Sequence, residues 1–168
     1  CGARQFPGCE TAIAHGNGRE MAMTLSDSFC VNRYRSEFLD LMRSGTMDII
    51  FANEAEVKSL YQTSSFETAL DLLRMDCRLA AVTRSEKGSV VVTREETIAV
   101  PALEIDELVD TTGAGDLYAA GFLFGYTQDR MLEDCARLGS LAAAIVIQQI
   151  GPRPMANLRD AAVQEGLV

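Results

Sequence analysis

The stretch from residue 110 to residue 123 reads DTTGAGDLYAAGFL, and its pattern decides how the rest of the chain is interpreted. Its glycines allow the backbone to turn tightly and to approach a ligand closely. The small and apolar residues that follow predict a closely packed helix directly after the glycines. The amides of Gly113, Ala114 and Gly115 should then lie at a helix N-terminus, where they form a site for a phosphate or a developing oxyanion.

Asp116 falls in the first turn of that predicted helix, beside the anion site. A carboxylate in this position can accept a proton from a hydroxyl nucleophile. Aspartate is also common at helix N-termini simply as a cap, and spacing alone does not separate the two interpretations. Two other phosphate motifs fail: the dinucleotide fingerprint needs glycine where the chain has Tyr118, and no P-loop string occurs.

Apolar runs alternate with helical patterns on both sides of this stretch. We predict buried strands and a valine- and threonine-rich edge hairpin over residues 21–25, 48–52, 79–83, 88–93 and 97–100. Amphipathic patterns predict helices over residues 31–43, from 53 onward, and over 65–75, 116–127, 131–149 and 155–165. Together they predict a three-layer α/β/α fold with a mainly parallel sheet over residues 21–168, after an irregular segment over 1–20.

The composition excludes several classes of function. The 168 residues are 48% hydrophobic with a net charge of −9, so neither a basic stripe for nucleic acid nor a membrane helix is expected. The five cysteines are scattered without a C-x-x-C pair, which indicates free thiols rather than a metal or disulfide framework. The one histidine, His15, is interpreted as a loop residue. With no signal peptide visible, a cytoplasmic location is predicted.

Residues 110–123 resemble the second signature of the ribokinase/PfkB family of carbohydrate and nucleoside kinases, D-T-x-G-A-G-D followed by small and apolar residues. Residues 53–56 resemble the family's N-x-x-E motif, which follows a sheet strand. Residues 83–88 resemble its T-x-G-x-x-G nucleotide loop, with Ser85 where the family usually has glycine. The resemblance implies a ribokinase-like fold and ATP-dependent transfer of the γ-phosphoryl group to a sugar hydroxyl. A nucleoside kinase of the same family and a non-catalytic nucleotide-binding module are the alternatives.

The resemblance also implies a role for each matched residue. Asp116 would be the general base, and Gly113, Ala114 and Gly115 would form the anion hole. The nucleotide contacts would come from Asn53, Thr83, Ser85, Lys87, Gly88 and Ser140. Glu56 would help to hold Mg²⁺ through water. A monovalent cation such as K⁺ would lie beside Asp110, Thr112 and Gly151, with Val146 and Gln149 nearby.

Several of these polar residues also have a purely structural interpretation. Asn53 could cap the short helix after it, and Glu56 could lie on a solvated helix face together with Glu54. Asp110 could be a turn residue, and Lys87 could lie at the edge of the hairpin. The order of the motifs favours the functional interpretation for Asn53, Glu56 and Asp110 and leaves Lys87 open.

Members of this family are about twice as long as the chain, which matches only their C-terminal half. The Gly-Gly signature of their N-terminal half does not occur in it. We therefore expect a fragment that lacks the lid and most acceptor contacts, and that is inactive alone or associates as a homodimer. A parallel sheet cut at this point would expose an apolar edge that favours association.

Overall fold

The computed structural model describes residues 8–168, with side chains from residue 11 onward. The helices of the described part are α1 (Gly8–Gly16), α2 (Ser28–Arg33), α3 (Arg35–Arg43), α4 (Glu54–Tyr61), α5 (Phe66–Asp76), α6 (Ala114–Tyr126), α7 (Leu132–Val146) and α8 (Leu158–Gln164). The strands are β1 (Ala22–Thr24), β2 (Ile49–Asn53), β3 (Leu79–Thr83), β4 (Ser89–Thr93) and β5 (Thr97–Val100). A 3₁₀ turn, Ser85–Lys87, lies between β3 and β4.

The five strands form one mixed sheet in the order β1-β2-β3-β4-β5, flanked by helices. Strands β1 and β2 are parallel and pair Ala22 with Ile49 and Thr24 with Phe51, so helices α2 and α3 form the crossover between them. Strands β4 and β5 are joined by three residues, with the Thr93 amide bonded to the Glu96 carbonyl at 3.0 Å. The predicted α/β fold with an edge hairpin is confirmed.

The described chain divides into two compact units. Unit 1 comprises the residues up to Val82 together with Val92–Thr97, and unit 2 comprises Thr83–Val91 and Ile98–Val168. The first four residues of β2 and of β3 are buried, as expected of strands covered on both faces. The fully buried large side chains of unit 1 are Leu25, Val31, Ile49, Ile50, Val57, Leu60, Leu73, Val82 and Val92, and those of unit 2 are Val91, Phe122 and Val146.

Helices α6 and α7 of unit 2 approach each other at backbone distance because glycines face the contact. A Cβ added at Gly121 would lie 2.5 Å from the Leu138 carbonyl oxygen. A Cβ added at Gly139 would lie 2.7 Å from the Tyr118 carbonyl oxygen. This close packing fixes the direction of α6, the helix that carries Asp116.

Two local predictions were wrong. The segment over residues 1–20 was expected to be irregular, but α1 occupies Gly8–Gly16, and its last-turn His15 bonds Asp48 at 2.8 Å. Residues 1–7 lie outside the described part of the chain. The helix predicted over 31–43 is instead two helices, because Tyr34 leaves the helical conformation with φ −121° and ψ 32°. No proline or glycine marks that break in the sequence.

Candidate active site

The segment from Asp110 to Asp116 turns directly into helix α6. Gly113 caps the helix in the left-handed conformation, with φ 82° and ψ −1°, and α6 begins at Ala114, two residues earlier than the sequence predicted. The first amides of a helix have no partner within the helix, and Gly115 lies in that first turn. The Ala114 amide donates to the Thr111 carbonyl at 3.1 Å, so it is already engaged. The amides of Gly113 and Gly115 are therefore the simplest donors for an anion.

Asp116 lies in the first turn of α6, as predicted, and its side chain is exposed. The Gly113 carbonyl, not the Asp116 side chain, begins the helical hydrogen bonds by accepting from the Leu117 amide at 2.9 Å. The N-cap position belongs to Gly113, and the purely capping interpretation of Asp116 is therefore weakened. The carboxylate is instead open to solvent, where a hydroxyl substrate could reach it.

Pro152 packs against the glycine turn. A Cβ placed on Gly113 would lie 2.6 Å from the Pro152 Cβ, closer than two such atoms can approach. Pro152 lies between the helices predicted over 131–149 and 155–165, and nothing in the sequence pattern indicates its contact with Gly113. Proline has a fixed φ, so a proline directly after Gly151 restricts the backbone of this segment.

Asp110 is hydrogen-bonded to two of the other predicted residues, Thr112 and Gly151. One oxygen, Oδ1, accepts from the amide and the hydroxyl of Thr112 at 2.9 and 2.7 Å, and Oδ2 accepts from the Gly151 amide at 3.0 Å. These hydrogen bonds hold the pKa of Asp110 below its usual value, the Thr112 hydroxyl most of all. Asp110 does form a turn, as its structural interpretation predicted, but it also brings Thr112 and Gly151 together.

The segment after α7 is held by Gln149. Its Oε1 accepts from the Met155 amide at 2.9 Å, and its Nε2 donates to the Arg153 carbonyl at 2.5 Å. The Ile147 carbonyl accepts from the amides of Val109 and Asp110 at 2.9 and 3.2 Å. The segments on either side of Asp110 and Gly151 are thus tied by backbone and side-chain hydrogen bonds. Val146, predicted nearby, is fully buried at the end of α7.

The predicted nucleotide loop, Thr83–Gly88, is a tight turn within unit 2. The Arg84 amide donates to the Gly88 carbonyl at 2.8 Å, and the Gly88 amide donates to the Ser85 carbonyl at 3.0 Å. Ser85 adopts a left-handed φ of 52°, a conformation that glycine accepts more readily. Gly88 has a φ of 83°, and a Cβ added to it would lie 2.0 Å from the Val100 carbonyl oxygen. Ser85 and Lys87 are exposed, whereas Ser140 lies half-buried on α7.

Asn53 and Glu56 belong to unit 1, where they form a complete capping box at the start of α4. The Glu56 amide donates to Asn53 Oδ1 at 2.9 Å, and Glu56 accepts from the Asn53 amide and from Asn53 Nδ2 at 2.9 and 2.7 Å. The capping interpretation of Asn53 is thus confirmed as a structural role. The solvated-face interpretation of Glu56 is wrong, because the residue is only 5% exposed and burial raises its pKa. Glu54 instead pairs with Lys58 at 2.6 Å.

Other chemistry finds little support in the described residues. Within residues 8–168, no group of three or more His, Cys, Asp and Glu side chains could hold a metal ion. Cys30, Cys77 and Cys135 are buried thiols, and burial raises the pKa of Cys135 to about 11. Cys1 lies outside the described residues, and the side chain of Cys9 is not described. No helix in the described part of the chain is long and apolar enough to span a membrane.

The fold and this segment define the class of the protein as an α/β protein of the ribokinase-like type. The sequence model of the pfkB family carbohydrate kinases matches residues 9–158, and the chain therefore belongs to the PfkB family.

Several relatives are similar over most of the chain. A probable sugar kinase protein from Rhizobium etli CFN 42 is 64% identical, with a TM-score of 0.93 over 94% of this chain and 48% of that one. An adenosine kinase from Sinorhizobium meliloti is 65% identical, with a TM-score of 0.91 over 92% of this chain and 47% of that one. A cytidine kinase from Thermococcus kodakarensis is 37% identical over 126 residues, which are 70% of this chain and 45% of that one. The chain thus spans less than half the length of each of these relatives.

Proposed function

We propose that the chain is the nucleotide-binding and catalytic part of a kinase that transfers the γ-phosphoryl group of ATP to a hydroxyl group. In this proposal Asp116 takes the proton from the acceptor hydroxyl as its oxygen bonds to the γ-phosphorus. The bond between the γ-phosphorus and the bridging oxygen breaks, and ADP leaves. Amides at the start of α6 stabilise the charge on the transferring group, with Gly113 and Gly115 as the main donors and Ala114 joining if its turn bond opens.

The observation that carries this proposal is the start of α6 itself. Gly113 takes the N-cap position, so helix-terminal amides lie beside a first-turn aspartate that is not consumed as the cap. Phosphoryl transfer needs an anion site, a proton acceptor and a metal, and few other reacting groups from the protein. The same proposal includes the predicted nucleotide contacts. These are Asn53 in unit 1 and Thr83, Ser85, Lys87, Gly88 and Ser140 in unit 2.

The first experiment replaces Asp116 by Asn in the complete protein and measures ADP release in the presence of the acceptor. We expect kcat to fall by a factor of about 10²–10⁴, the usual contribution of a positioned general base, while ATP–Mg²⁺ binding is retained. Asp160→Asn is the matched control, because Asp160 is also an exposed aspartate in the first turn of a helix. Wild-type turnover in the Asp116→Asn variant would show that the assigned base is wrong.

The acceptor class is the second question. The family resemblance implied a sugar, with a nucleoside as the alternative, and both offer the hydroxyl that the proposal needs. Two of the relatives described above are named for nucleosides, adenosine and cytidine, and these names favour the nucleoside alternative. ADP release measured with adenosine, cytidine and ribose at equal concentration distinguishes the classes. ADP release with ribose but with neither nucleoside would favour a sugar as the acceptor.

Kinases of this family use ATP, typically with Mg²⁺. Magnesium keeps several waters and is bound largely by substrate phosphates with one or two carboxylates, so it does not need a cage of protein ligands. When bound, the ion would neutralise charge on the phosphates. Each oxygen of Glu56 accepts one hydrogen bond from Asn53, which orients the carboxylate and leaves each oxygen a lone pair for a water molecule. We propose that Glu56 holds the Asn53 side chain in place at the end of β2 and acts on the metal through water.

A monovalent cation such as K⁺ is also part of the proposal. Asp110 suits a hard cation, because its lowered pKa keeps the carboxylate ionised and Oδ2, which accepts one hydrogen bond, keeps a second lone pair. Thr112 and Gly151 would complete the site. Its test is ADP release in K⁺ compared with tetramethylammonium, which is too large for a small oxygen site.

A nucleotide-binding module without catalysis is the competing function. It predicts that ATP–Mg²⁺ binds, as measured by calorimetry, while none of the acceptors in the panel is phosphorylated. A small-molecule acceptor is the proposed partner, and the expectation of no nucleic-acid or membrane partner stays a prediction from the sequence. The cytoplasmic location and the homodimer stay predictions from the sequence.

A further inference from the structure

The loop between α7 and α8 is held by side chains. Within the described chain, three hydrogen bonds reach the backbone of residues 150–156, and all three come from the side chains of Gln149 and Asp110. Pro152 and Pro154 have no amide hydrogen, so the backbone of this loop has fewer donors with which to close a turn of its own. The conformation of the loop therefore depends on these two side chains.

Gln149 uses both ends of its side-chain amide within this loop. Its Nε2 donates to the Arg153 carbonyl at 2.5 Å, and its Oε1 accepts from the Met155 amide at 2.9 Å. Because one end of the amide can only accept and the other can only donate, exchanging the two ends would break both hydrogen bonds. The Gln149 side chain is thus fixed in orientation and forms a bridge across the loop.

Pro152 lies between two residues that are held by these side chains. The amide of Gly151 before it and the carbonyl of Arg153 after it each form one of the three hydrogen bonds. On the other side of the contact, a Cβ placed on Gly113 would lie 2.6 Å from the Pro152 Cβ and 3.0 Å from its Cα. The hydrogen bonds on either side of the proline therefore hold it against the glycine turn.

The glycine turn needs a support of this kind. Gly113 has φ 82°, and glycine adopts positive and negative φ about equally readily, so the residue itself does not favour this conformation. A change in its torsion angles would alter the angle between the Gly113 amide and the amides of the first helical turn, that of Gly115 included. Donors stabilise a developing charge best when they are already aimed at it. A contact that fixes Gly113 therefore fixes the aim of both amides.

We propose that Gln149 is a positioning residue for phosphoryl transfer, whose bridge holds Pro152 against the glycine turn and so keeps the amides of the anion site aimed at the transferring group. The inference rests on the proposed function, because it takes the amides of Gly113 and Gly115 as that site. The Gln149 side chain touches no reacting atom and acts only through the loop and the proline. Asp110 supports the same proline but also belongs to the proposed cation site, so a substitution there would combine two effects.

The test compares Gln149→Met with Gln148→Met in the complete protein. Gln148 is the matched control, because its Nε2 donates to the Ala144 carbonyl at 2.9 Å and its Oε1 accepts from the Asp106 amide at 3.0 Å, outside residues 150–156. Each variant loses two side-chain hydrogen bonds, so both should lower Tm by a similar amount, about 2–6 °C.

Only the bridge should affect the chemical step. The kcat for ADP release should fall about tenfold in Gln149→Met and stay within about twofold in Gln148→Met. The fall is smaller than the roughly 10²–10³ that loss of an oxyanion donor costs, because the amides are still present. The KM of the acceptor and the Kd for ATP–Mg²⁺ should change less than about twofold, because the support matters most in the transition state. These rates are measured at saturating K⁺, since Gln149 also lies near the proposed cation site.

Pro152→Gly tests the same contact without changing the bridge. It removes the Cβ that lies against Gly113, so kcat should fall as in Gln149→Met although both hydrogen bonds of Gln149 can still form. The double variant should be no slower than the slower single variant within about twofold, because both substitutions act through one contact. If Gln149→Met does not fold, Pro152→Gly still measures the effect of the contact on kcat.

The amide resonance of Gly113 reports on the turn directly. Glycine-selective ¹⁵N labelling restricts the NMR spectrum to glycine amides, and Gly113→Ala identifies this one. The resonance should shift in Gln149→Met and keep its position in Gln148→Met. This measurement needs neither nucleotide nor acceptor, so it tests the contact independently of turnover.

Several results would overturn the proposal. They are wild-type kcat in Pro152→Gly or in a folded Gln149→Met, an equal fall of kcat in Gln148→Met, and recovery of kcat in Gln149→Met when K⁺ is raised further. Effects that multiply in the double variant, or a Gly113 resonance that does not move, would also overturn it. A wild-type protein that phosphorylates no acceptor would instead refute the proposed function, and this inference with it.

Discussion

The Gly151 amide donates a hydrogen bond of 3.0 Å to Oδ2 of Asp110, across 41 residues of sequence. The other oxygen of the same carboxylate accepts both donors of Thr112. One side chain thus ties the segment after α7 to the segment before α6. The shape of the glycine turn depends on this carboxylate staying ionised.

The first prediction concerns Asp110 and pH. A carboxyl group with a folded-state pKa below its unfolded value stabilises the protein above the unfolded pKa, and this contribution is lost as pH falls through the folded pKa. Asp110→Asn should therefore lower the urea midpoint at pH 7, and its difference from the wild type should shrink below about pH 4. Urea unfolding from pH 2.5 to 7 measures this difference.

Thr112→Val is the matched control for this prediction. It removes the hydroxyl donor, the largest cause of the lowered pKa, and leaves the Thr112 and Gly151 amides in place. The variant should retain part of the pH dependence seen in the wild type. A difference between the wild type and Asp110→Asn that stays constant or grows on acidification would contradict the role of the carboxylate.

The second prediction concerns the glycine turn. Gly113→Ala should lower the free energy of unfolding by about 1–3 kcal/mol, because the residue has φ 82° and the new methyl group would meet Pro152. Gly115→Ala is the control, since a Cβ there meets nothing within 4 Å and the residue is helical. It should raise stability by up to about 1 kcal/mol.

The cause of the Gly113→Ala loss can be divided by a second substitution. Pro152→Gly removes the Cβ that the new methyl group would meet. In the Pro152→Gly background, Gly113→Ala should therefore lower the free energy of unfolding by less, and the remaining loss is the cost of the positive φ. Urea unfolding of the three variants and the double variant gives both contributions. Equal stability of Gly113→Ala and Gly115→Ala would refute the steric argument.

Much of the fold could be predicted because its signals are local. The strand predicted over 79–83 is observed as β3, since a buried apolar run between turn residues favours a covered strand. The helix after the glycine turn was predicted because small residues follow a polar cap region, and it begins only two residues early. Local hydrogen bonding and burial decide such elements, so one sequence was enough.

What could not be predicted depends on contacts between distant residues. Helix α1 lies in a segment that contains glycines and shows little periodicity, and its last-turn His15 is held by Asp48. The approach of Pro152 to Gly113 joins residues that no spacing rule connects. The burial of Glu56 was missed for the same reason, because a capping box predicts its hydrogen bonds but not what covers it.

The third prediction concerns Glu56. Burial raises its pKa, so the folded state binds the proton more tightly than the unfolded state. The contribution of Glu56 to stability is then greatest below the unfolded pKa of about 4.3 and declines as pH rises through the folded pKa. The free energy of unfolding of the wild type should therefore fall relative to that of Glu56→Gln between about pH 4 and pH 8.

Glu54→Gln is the control for Glu56, because it changes a carboxylate in the first turn of the same helix. Glu54 pairs with Lys58 near the surface, so this substitution should cost less than about 1 kcal/mol and should not show the decline. Chemical unfolding at pH 4, 6 and 8 compares the three proteins. A wild type that gains stability over Glu56→Gln as pH rises would show that the hydrogen bonds from Asn53 outweigh burial.

The fourth prediction concerns Ser85, where the chain departs from the glycine usual at this position in the family. The structure gives the physical reason for that glycine, because Ser85 has a left-handed φ of 52°. Such a conformation costs an L-residue about 1–2 kcal/mol, while glycine loses more backbone entropy on folding. Ser85→Gly should therefore raise the free energy of unfolding by up to about 1 kcal/mol.

Ser44→Gly is the matched control, since Ser44 ends α3 with a right-handed φ of −72° and gains nothing from glycine. It should lower stability by about 0.5–1 kcal/mol, so the same substitution has opposite signs at the two positions. If Ser85 contributes to nucleotide binding through the backbone turn and not through its side chain, Ser85→Gly should leave the Kd for ATP–Mg²⁺ within about twofold, because the turn is retained. A loss of stability in Ser85→Gly would mean that the serine side chain stabilises the turn more than its backbone conformation costs.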